Sequence, residues 1–274
     1  LDQEFVYGNH LNEDVMMKPL EVISAICCLL SCLSCSVKEN RMACPCRMVL
    51  DFSGNDTVSV RSARLLVNAS EGFCLADTLT CEDFEDEYMV SVPRGEVNVL
   101  AWYGCEGSVG RNEGLKIPYG EDCPEVYMDF FNLEAEGESV HKVVMMKKNH
   151  CVATIYVKSE ESFPYRLVVK GEVDGYEPDG SPSLGYFMYE LELSEDMTGW
   201  VTLPRQRDES LCLEVCEGDS VLKVFTLGRY ISATGYDWTS EHLEDLTLSL
   251  DYTHNVIGIS IGDWDKEHHF DISI

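Results

Sequence analysis

The chain has 274 residues, with 49 Asp and Glu against 20 Lys and Arg, a formal net charge of −29, and 13 Cys. At 45% hydrophobic and 25% charged residues, this is the composition of a folded globular protein and not of a disordered one. So acidic a surface repels DNA, RNA and anionic membrane faces, which excludes nucleic acid as an expected partner.

No run of about 18 or more apolar residues occurs, so no membrane-spanning helix is expected. The length suits one large domain or two of about 110–150 residues each. Residues 1–15 are polar and acidic without periodicity. Met16 and Met17 follow, then Lys18, then an apolar run from Val22 to Leu33 broken only by Ser and Cys. A basic start, a short apolar stretch and a small residue before Cys describe a lipoprotein signal peptide; about 12 apolar residues suit that role and are too few to cross a bilayer. Translation is therefore expected to begin at Met16 or Met17. Residues 1–15 are then an upstream extension, and 16–35 a signal peptide with its lipobox.

Two cysteines fit the narrow peptidase pocket. Cys35 follows Ser34 and precedes Ser36-Val37-Lys38-Glu39-Asn40, which resembles the Lys-acidic export signal of Bacteroidetes surface lipoproteins. Cys32 follows Ser31 and has Leu29 three residues before it. Cys35 is the expected lipidation site and Cys32 the alternative. Removing residues 1–34 takes away five acids and one base and leaves a charge of −25.

Beyond residue 35 the dominant pattern is alternation, the mark of strands with one buried face. It runs through Met48–Phe52, Tyr165–Val173, Phe187–Leu193, Leu246–Tyr252, Ile257–Ile261 and Phe270–Ile274. Val97–Tyr103 is almost wholly apolar, as a central strand would be. Short helical turns are expected near Glu241–Leu246 and around Arg61–Val67 or Leu227–Ser232. Many short strands between Gly, Pro and Asp turns predict all-β architecture, and the length predicts two antiparallel β-sandwiches in tandem. The expected domains are 36–147 and 148–274. They meet at Met145–Asn149, where no low-complexity linker intervenes, so they are expected to pack together.

Motifs that carry chemistry are scarce. There is no Gly-rich phosphate loop, no Gly-x-Ser-x-Gly and no His-Glu-x-x-His. Cys44-Pro45-Cys46 has no second pair at zinc-site spacing. Cys212 and Cys216 lie four apart in a strand, roughly 13 Å between Cα atoms, too far to bridge. His268 and His269 point to opposite faces and cannot chelate jointly. The acidic run Cys81–Glu87 lacks a regular calcium loop and reads as solvated. Asp174-Gly175 and Asp179-Gly180 read as turns. With 49 acids, some carboxylate pair is always available, so glycosidase chemistry gains no support from one. Trp102, Trp200, Trp238 and Trp264 are expected mainly in the core. No catalytic residue, cofactor site or metal site is expected.

Several short motifs occur in order: Cys35-x-x-x-Glu39, Cys44-Pro45-Cys46-x-x-x-Leu50-Asp51, Val92-Pro93-Arg94-Gly95 and Gly120–Asp129 ending in Val126-Tyr127-Met128-Asp129. Leu203-Pro204-Arg205-Gln206, Leu227-Gly228-Arg229-Tyr230-Ile231, Gly235-Tyr236-Asp237-Trp238 and Ile261-Gly262-Asp263-Trp264 follow. Taken together over residues 35–274, this set resembles the FimB-type fimbrial anchor (minor fimbrillin) family of Bacteroidales type V pili. The resemblance implies two transthyretin-like β-sandwich domains, a lipidated N-terminal Cys, location at the outer membrane, no enzyme activity and a role in fixing a pilus to the cell. Pilin subunits are the implied partners. They would be held by strand pairing at a sandwich edge or through the terminal Phe270, Ile272 and Ile274. The alternative readings are a fimbrial tip or adhesin subunit, and a surface glycan-binding lipoprotein. The latter would place several aromatics on an exposed face beside polar groups.

Overall fold

The computed structural model describes residues 44–55, 62–80, 87–104, 114–159, 163–254, 256–261 and 268–271. Pro45–Ile274 forms one compact unit. Its first strands are β1 (Cys46–Asp51), β2 (Ser62–Ala69), β3 (Cys74–Thr80), β4 (Glu87–Val92), β5 (Glu96–Tyr103), β6 (Leu115–Lys116), β7 (Tyr127–Glu134), β8 (Ser139–Val143) and β9 (Lys147–Lys148). Then come β10 (His150–Lys158), β11 (Arg166–Tyr176), β12 (Pro182–Leu191), β13 (Thr198–Pro204), β14 (Cys212–Glu217) and β15 (Ser220–Phe225). Helix α1 (Leu227–Ala233), β16 (Leu246–Asp251), β17 (Val256–Ile261) and β18 (His268–Asp271) complete the described order.

The strands build four sheets, ordered β4-β1-β8, β3-β2-β5-β7-β9, β12-β11-β14-β15 with β6 on β11, and β13-β10-β16-β17-β18. One pairing scheme occurs twice. β1 pairs antiparallel with β4 and parallel with β8, while β2 pairs with β3 and β5, and β5 with β7. Likewise β10 pairs antiparallel with β13 and parallel with β16, while β11 pairs with β12 and β14, and β14 with β15. Each scheme thus contains one parallel pair where only antiparallel pairing was expected. Alternation of side chains is the same in both ladder types, so the pattern is blind to the difference.

Alternation builds two separate cores. In the first, Met48 and Leu50 of β1 meet Leu65 and Val67 of β2 and Val97, Val99 and Ala101 of β5. In the second, Ile155 of β10, Leu167 and Val169 of β11, Leu213 and Val215 of β14, and Leu248 and Leu250 of β16 pack together with Leu227 and Ile231 of α1. Each fully buried side chain of this size contributes about 1.5–3 kcal/mol. The helix falls where Leu227–Ser232 was expected to turn. Where a turn of helix was expected around Arg61–Val67, the described residues from Ser62 to Val67 instead form most of β2, because Ala63, Leu65 and Val67 must share one face of a sheet. Glu241–Asp245 holds no helix.

Gly175 corrects another expectation. It lies inside β11 and not in a turn, since β6 pairs across it. A Cβ there would sit 1.9 Å from the Leu115 carbonyl oxygen, at φ +146°. Only glycine permits that approach. Asp179-Gly180 does form the β11–β12 turn: Glu177 N–H donates to Ser181 O at 2.7 Å, and Gly180 has φ +75°.

Candidate functional site

Between the two cores lies a third apolar cluster: Leu66, Leu100, Trp102, Leu115, Val126, Met128 and Tyr176. Leu66, Leu100 and Trp102 come from the faces of β2 and β5 opposite the first core, which explains why β5 is apolar on both faces. The chain from Gly114 to Val126 runs along the second sandwich. Ile117 N–H donates to Asp174 O at 2.7 Å, Gly120 N–H to Met188 O at 3.1 Å and Cys123 N–H to Thr202 O at 3.0 Å.

A polar network closes this joint. The buried Tyr176 hydroxyl donates to Asn149 O and accepts from the Arg205 N–H at 2.8 Å. The Arg205 guanidinium reaches Asn149 Oδ1 at 3.0 Å, Ser240 O at 2.8 Å and the Trp238 carbonyl. His150 Nδ1 bonds Val126 O at 3.0 Å, and burial holds its pKa below the ordinary value. Tyr127 lies edge-on to the His150 ring, with centroids 5.2 Å apart, and stacks on Tyr103 at 4.7 Å. Burial pushes the Tyr176 phenol well above its ordinary range. Four of the ordered sequence motifs therefore have visible structural roles. Val126–Met128, Arg205 and Tyr236–Trp238 build or brace the joint, and Gly95 (φ +118°) turns the chain between β4 and β5.

The second feature is an open edge. In the second sandwich, β16 is covered on its far side by β17, which pairs with it from Leu246 to Asp251. The equivalent strand β8 ends its sheet, and no described strand pairs beyond it. Arg47 N–H donates to Glu138 O and Val144 N–H to Asp51 O. Main-chain groups alternate in direction along a strand, so those of Ser139, His141 and Val143 turn to the open side. At the inward position beside Leu50 stands Lys142, its ammonium 5.2 Å from the Phe131 ring centroid. The edge strand β15 carries the same device, with Lys223 5.0 Å from the Phe225 ring. An inward lysine on an edge strand discourages indiscriminate pairing.

Cys35, the alternative Cys32 and the acidic run 81–86 lie outside the described residues. Cys46 is buried in the first core, and burial raises its thiol pKa. Cys44 beside it is exposed, so the two do not face one another. Among the described residues no group of three or more His, Cys, Asp or Glu is placed to hold a metal ion. Phe270 packs on the second core and stacks on Tyr230 at 5.1 Å, so β18 belongs to its own sheet; Ile272 and Ile274 lie outside the described residues. Trp102 is buried and Trp238 half-buried against Tyr236, but Trp200 is 61% exposed, contrary to the expectation of a core role. Trp264 lies outside the described residues.

No family model matches the sequence, and no curated protein does either. Solved structures do match. The fimbrial anchor protein Mfa2 from Porphyromonas gingivalis superposes with a TM-score of 0.58 at 14% identity, over 81% of this chain and 98% of that one. A candidate polysaccharide-binding protein from Bacteroides thetaiotaomicron gives 0.58 at 14% identity, over 82% and 98%. A candidate adhesin from Bacteroides ovatus gives 0.56 at 13% identity, over 82% and 95%. The chain has the fold of the Bacteroidales fimbrial anchor and adhesin proteins. At such identity the likeness is one of fold. It joins the all-β expectation drawn from alternation to the family resemblance drawn from the motifs.

Proposed function

We propose that the protein is a non-enzymatic component of a fimbrium that fixes the fibre to the cell surface. In this reading a lipid on Cys35 holds the chain in the outer membrane, and a strand from a pilin subunit adds to β8. The observation that carries the proposal is the repeated pairing scheme. One copy closes its last strand with a hairpin, and in the other no described strand pairs beyond it. The shared fold with a fimbrial anchor protein supports it. A partner strand would gain a row of main-chain bonds from Ser139, His141 and Val143. Its specificity would come from side chains that fit beside Val140 and Lys142.

Deletion of the protein should leave fibres that polymerise but are shed into the medium. Cys35→Ala should shed fibres that still carry the protein. His141→Pro removes an outward N–H that β1 does not use, so it should abolish fibre binding without unfolding the sheet. Fibres that stay cell-bound in the deletion strain would refute anchoring. Anchored fibres that lose target binding would establish the tip-adhesin reading instead.

A further inference from the structure

The outer face of the β13-β10-β16 sheet is a different surface from both the joint and the β8 edge. Trp200 of β13 is 61% exposed and Tyr156 of β10 is 44% exposed. The antiparallel register sets Trp200 opposite Thr154 and Tyr156 opposite Thr198. The two rings are therefore diagonal neighbours on one face, with backbones about 7–8 Å apart. The parallel register then sets Thr247 beside Thr154 and Ser249 beside Tyr156. Beyond Ser249 comes Gly258, which has no side chain to rise above the sheet. Two rings thus sit among Thr154, Thr198, Thr247 and Ser249.

The molecule carries 49 acids, yet these six positions carry none and no base either. Charge begins only at the margins, where Lys158 stands beside Asp251, and Asp245 accepts from the Val152 N–H at 2.7 Å. Aliphatic side chains are also absent from the six. Exposed aliphatic side chains stand elsewhere, as Leu184 on β12, Val143 on β8, and Val221, Leu222 and Val224 on β15. Aromatic rings offer flat apolar surfaces with a polar tip, and each hydroxyl both donates and accepts. That combination matches a molecule with apolar C–H faces, a rim of hydroxyls and no charge.

We propose that this face binds a neutral polysaccharide, with Trp200 and Tyr156 stacking on successive sugar rings and the Thr and Ser hydroxyls bonding their rims. The net negative charge of the chain disfavours uronate and sulfate polymers at the same site. The site is independent of the anchoring function proposed above.

The test uses the purified full chain in native gels cast with soluble mannan, dextran, laminarin or galactomannan. Polygalacturonate and heparin serve as charged comparators. At least one neutral polymer should retard the chain. Trp200→Ala and Tyr156→Ala should each raise the dissociation constant at least tenfold. Trp200→Tyr, which keeps a ring, should retain most of the affinity. Thr247→Glu leaves both rings but adds a charge, and should also abolish retardation. Tyr186→Ala, at an exposed aromatic on β12, should change the affinity less than twofold. Thermal midpoints of all variants should stay close to that of the parent, because the altered side chains lie outside both cores. The proposal fails if no neutral polymer retards the chain, if only the charged polymers do, or if retardation survives loss of both rings. It also fails if Trp200→Ala changes self-association and leaves polysaccharide binding intact.

Discussion

Tyr176→Phe isolates the polar part of the joint from its packing. The ring of Tyr176 stays against Leu66, Leu100 and Trp102, and only the hydroxyl oxygen is lost. That oxygen serves two main-chain groups, accepting from Arg205 N–H and donating to Asn149 O. Leaving one buried group unsatisfied costs about 1–3 kcal/mol, and losing a second ordinary bond about 0.5–1.5 kcal/mol. Because Arg205 is only half-buried, water relieves part of this, and the expected loss is about 2–3 kcal/mol. For a chain of this size, that lowers Tm by roughly 4–12 °C. Urea titration followed by tryptophan fluorescence measures the loss, with Tyr119→Phe on the exposed surface as control; the control should stay within about 0.5 kcal/mol. A Tyr176→Phe protein as stable as the control would show that the network does not hold the joint.

Three further outcomes are expected. Burial pushes the Cys151 thiol up to about 12 from its ordinary 9.0, so its stabilising contribution is complete below pH 9 and is lost as pH rises toward 12. Cys151→Ala should therefore flatten the fall in unfolding free energy between pH 9 and 11 by about 1.4 kcal/mol per pH unit, measured by urea titration; an unchanged slope would contradict a buried neutral thiol. Gly175→Ala should cost more than about 3 kcal/mol or prevent folding, because its Cβ meets backbone at 1.9 Å, whereas Gly218→Ala, with φ +57° and open space, should cost only about 1–2 kcal/mol; equal effects would sink the close-approach argument. Lys142→Val should make the chain self-associate in sedimentation experiments, and a monomer that behaves like the parent would show that the lysine does not guard the β8 edge.

The strands were legible because a half-buried strand writes its face into every second residue. Leu246, Leu248 and Leu250 are buried as that rule requires, and so are Ile257 and Ile259. What escaped was whatever depends on contacts far along the chain. The parallel partners β1 and β8 are separated by the whole first sandwich, and no local signal records their direction. Strand β6 has two residues, too few to show a period, and Gly175 reads as a turn unless β6 is known to cross it. Trp200 is more instructive, because its exposure was recoverable. Val201 and Leu203 on the same strand are core residues, and the same alternation turns Trp200 outward. The phase of the strand decides the face and outranks the general preference of tryptophan for burial. The joint was legible only as an unexplained set of motifs. Asn149, Tyr176, Arg205 and Trp238 are dispersed in sequence, and only folding shows that they meet.

The two sandwiches share a pairing scheme, so their differences point to what each must do. In the second, β17 supplies Ile257 and Ile259 opposite Leu250 and Leu248, and apolar burial continues past the seventh strand. In the first, the residues at the corresponding edge are Val140, half-buried, and Lys142. An edge meant to stay free in solution needs a charge that a random strand cannot accommodate, and Lys142 supplies one. An edge meant to accept one partner needs a feature that this partner alone can satisfy. A lysine beside an apolar position meets both demands, because a strand with a carboxylate opposite Lys142 and an apolar side chain opposite Val140 would relieve the charge and cover the core together. The joint then acquires a mechanical meaning. If a fibre pulls on β8, the load reaches the second sandwich through Asn149, Tyr176 and Arg205 as well as through the covalent chain, which crosses at Lys147–His150 and also where Gly114–Val126 lies along the second sandwich. Several bonds sheared in parallel resist more than one peeled at a time, so a joint built from main-chain and guanidinium contacts resists separation of the two sandwiches under load.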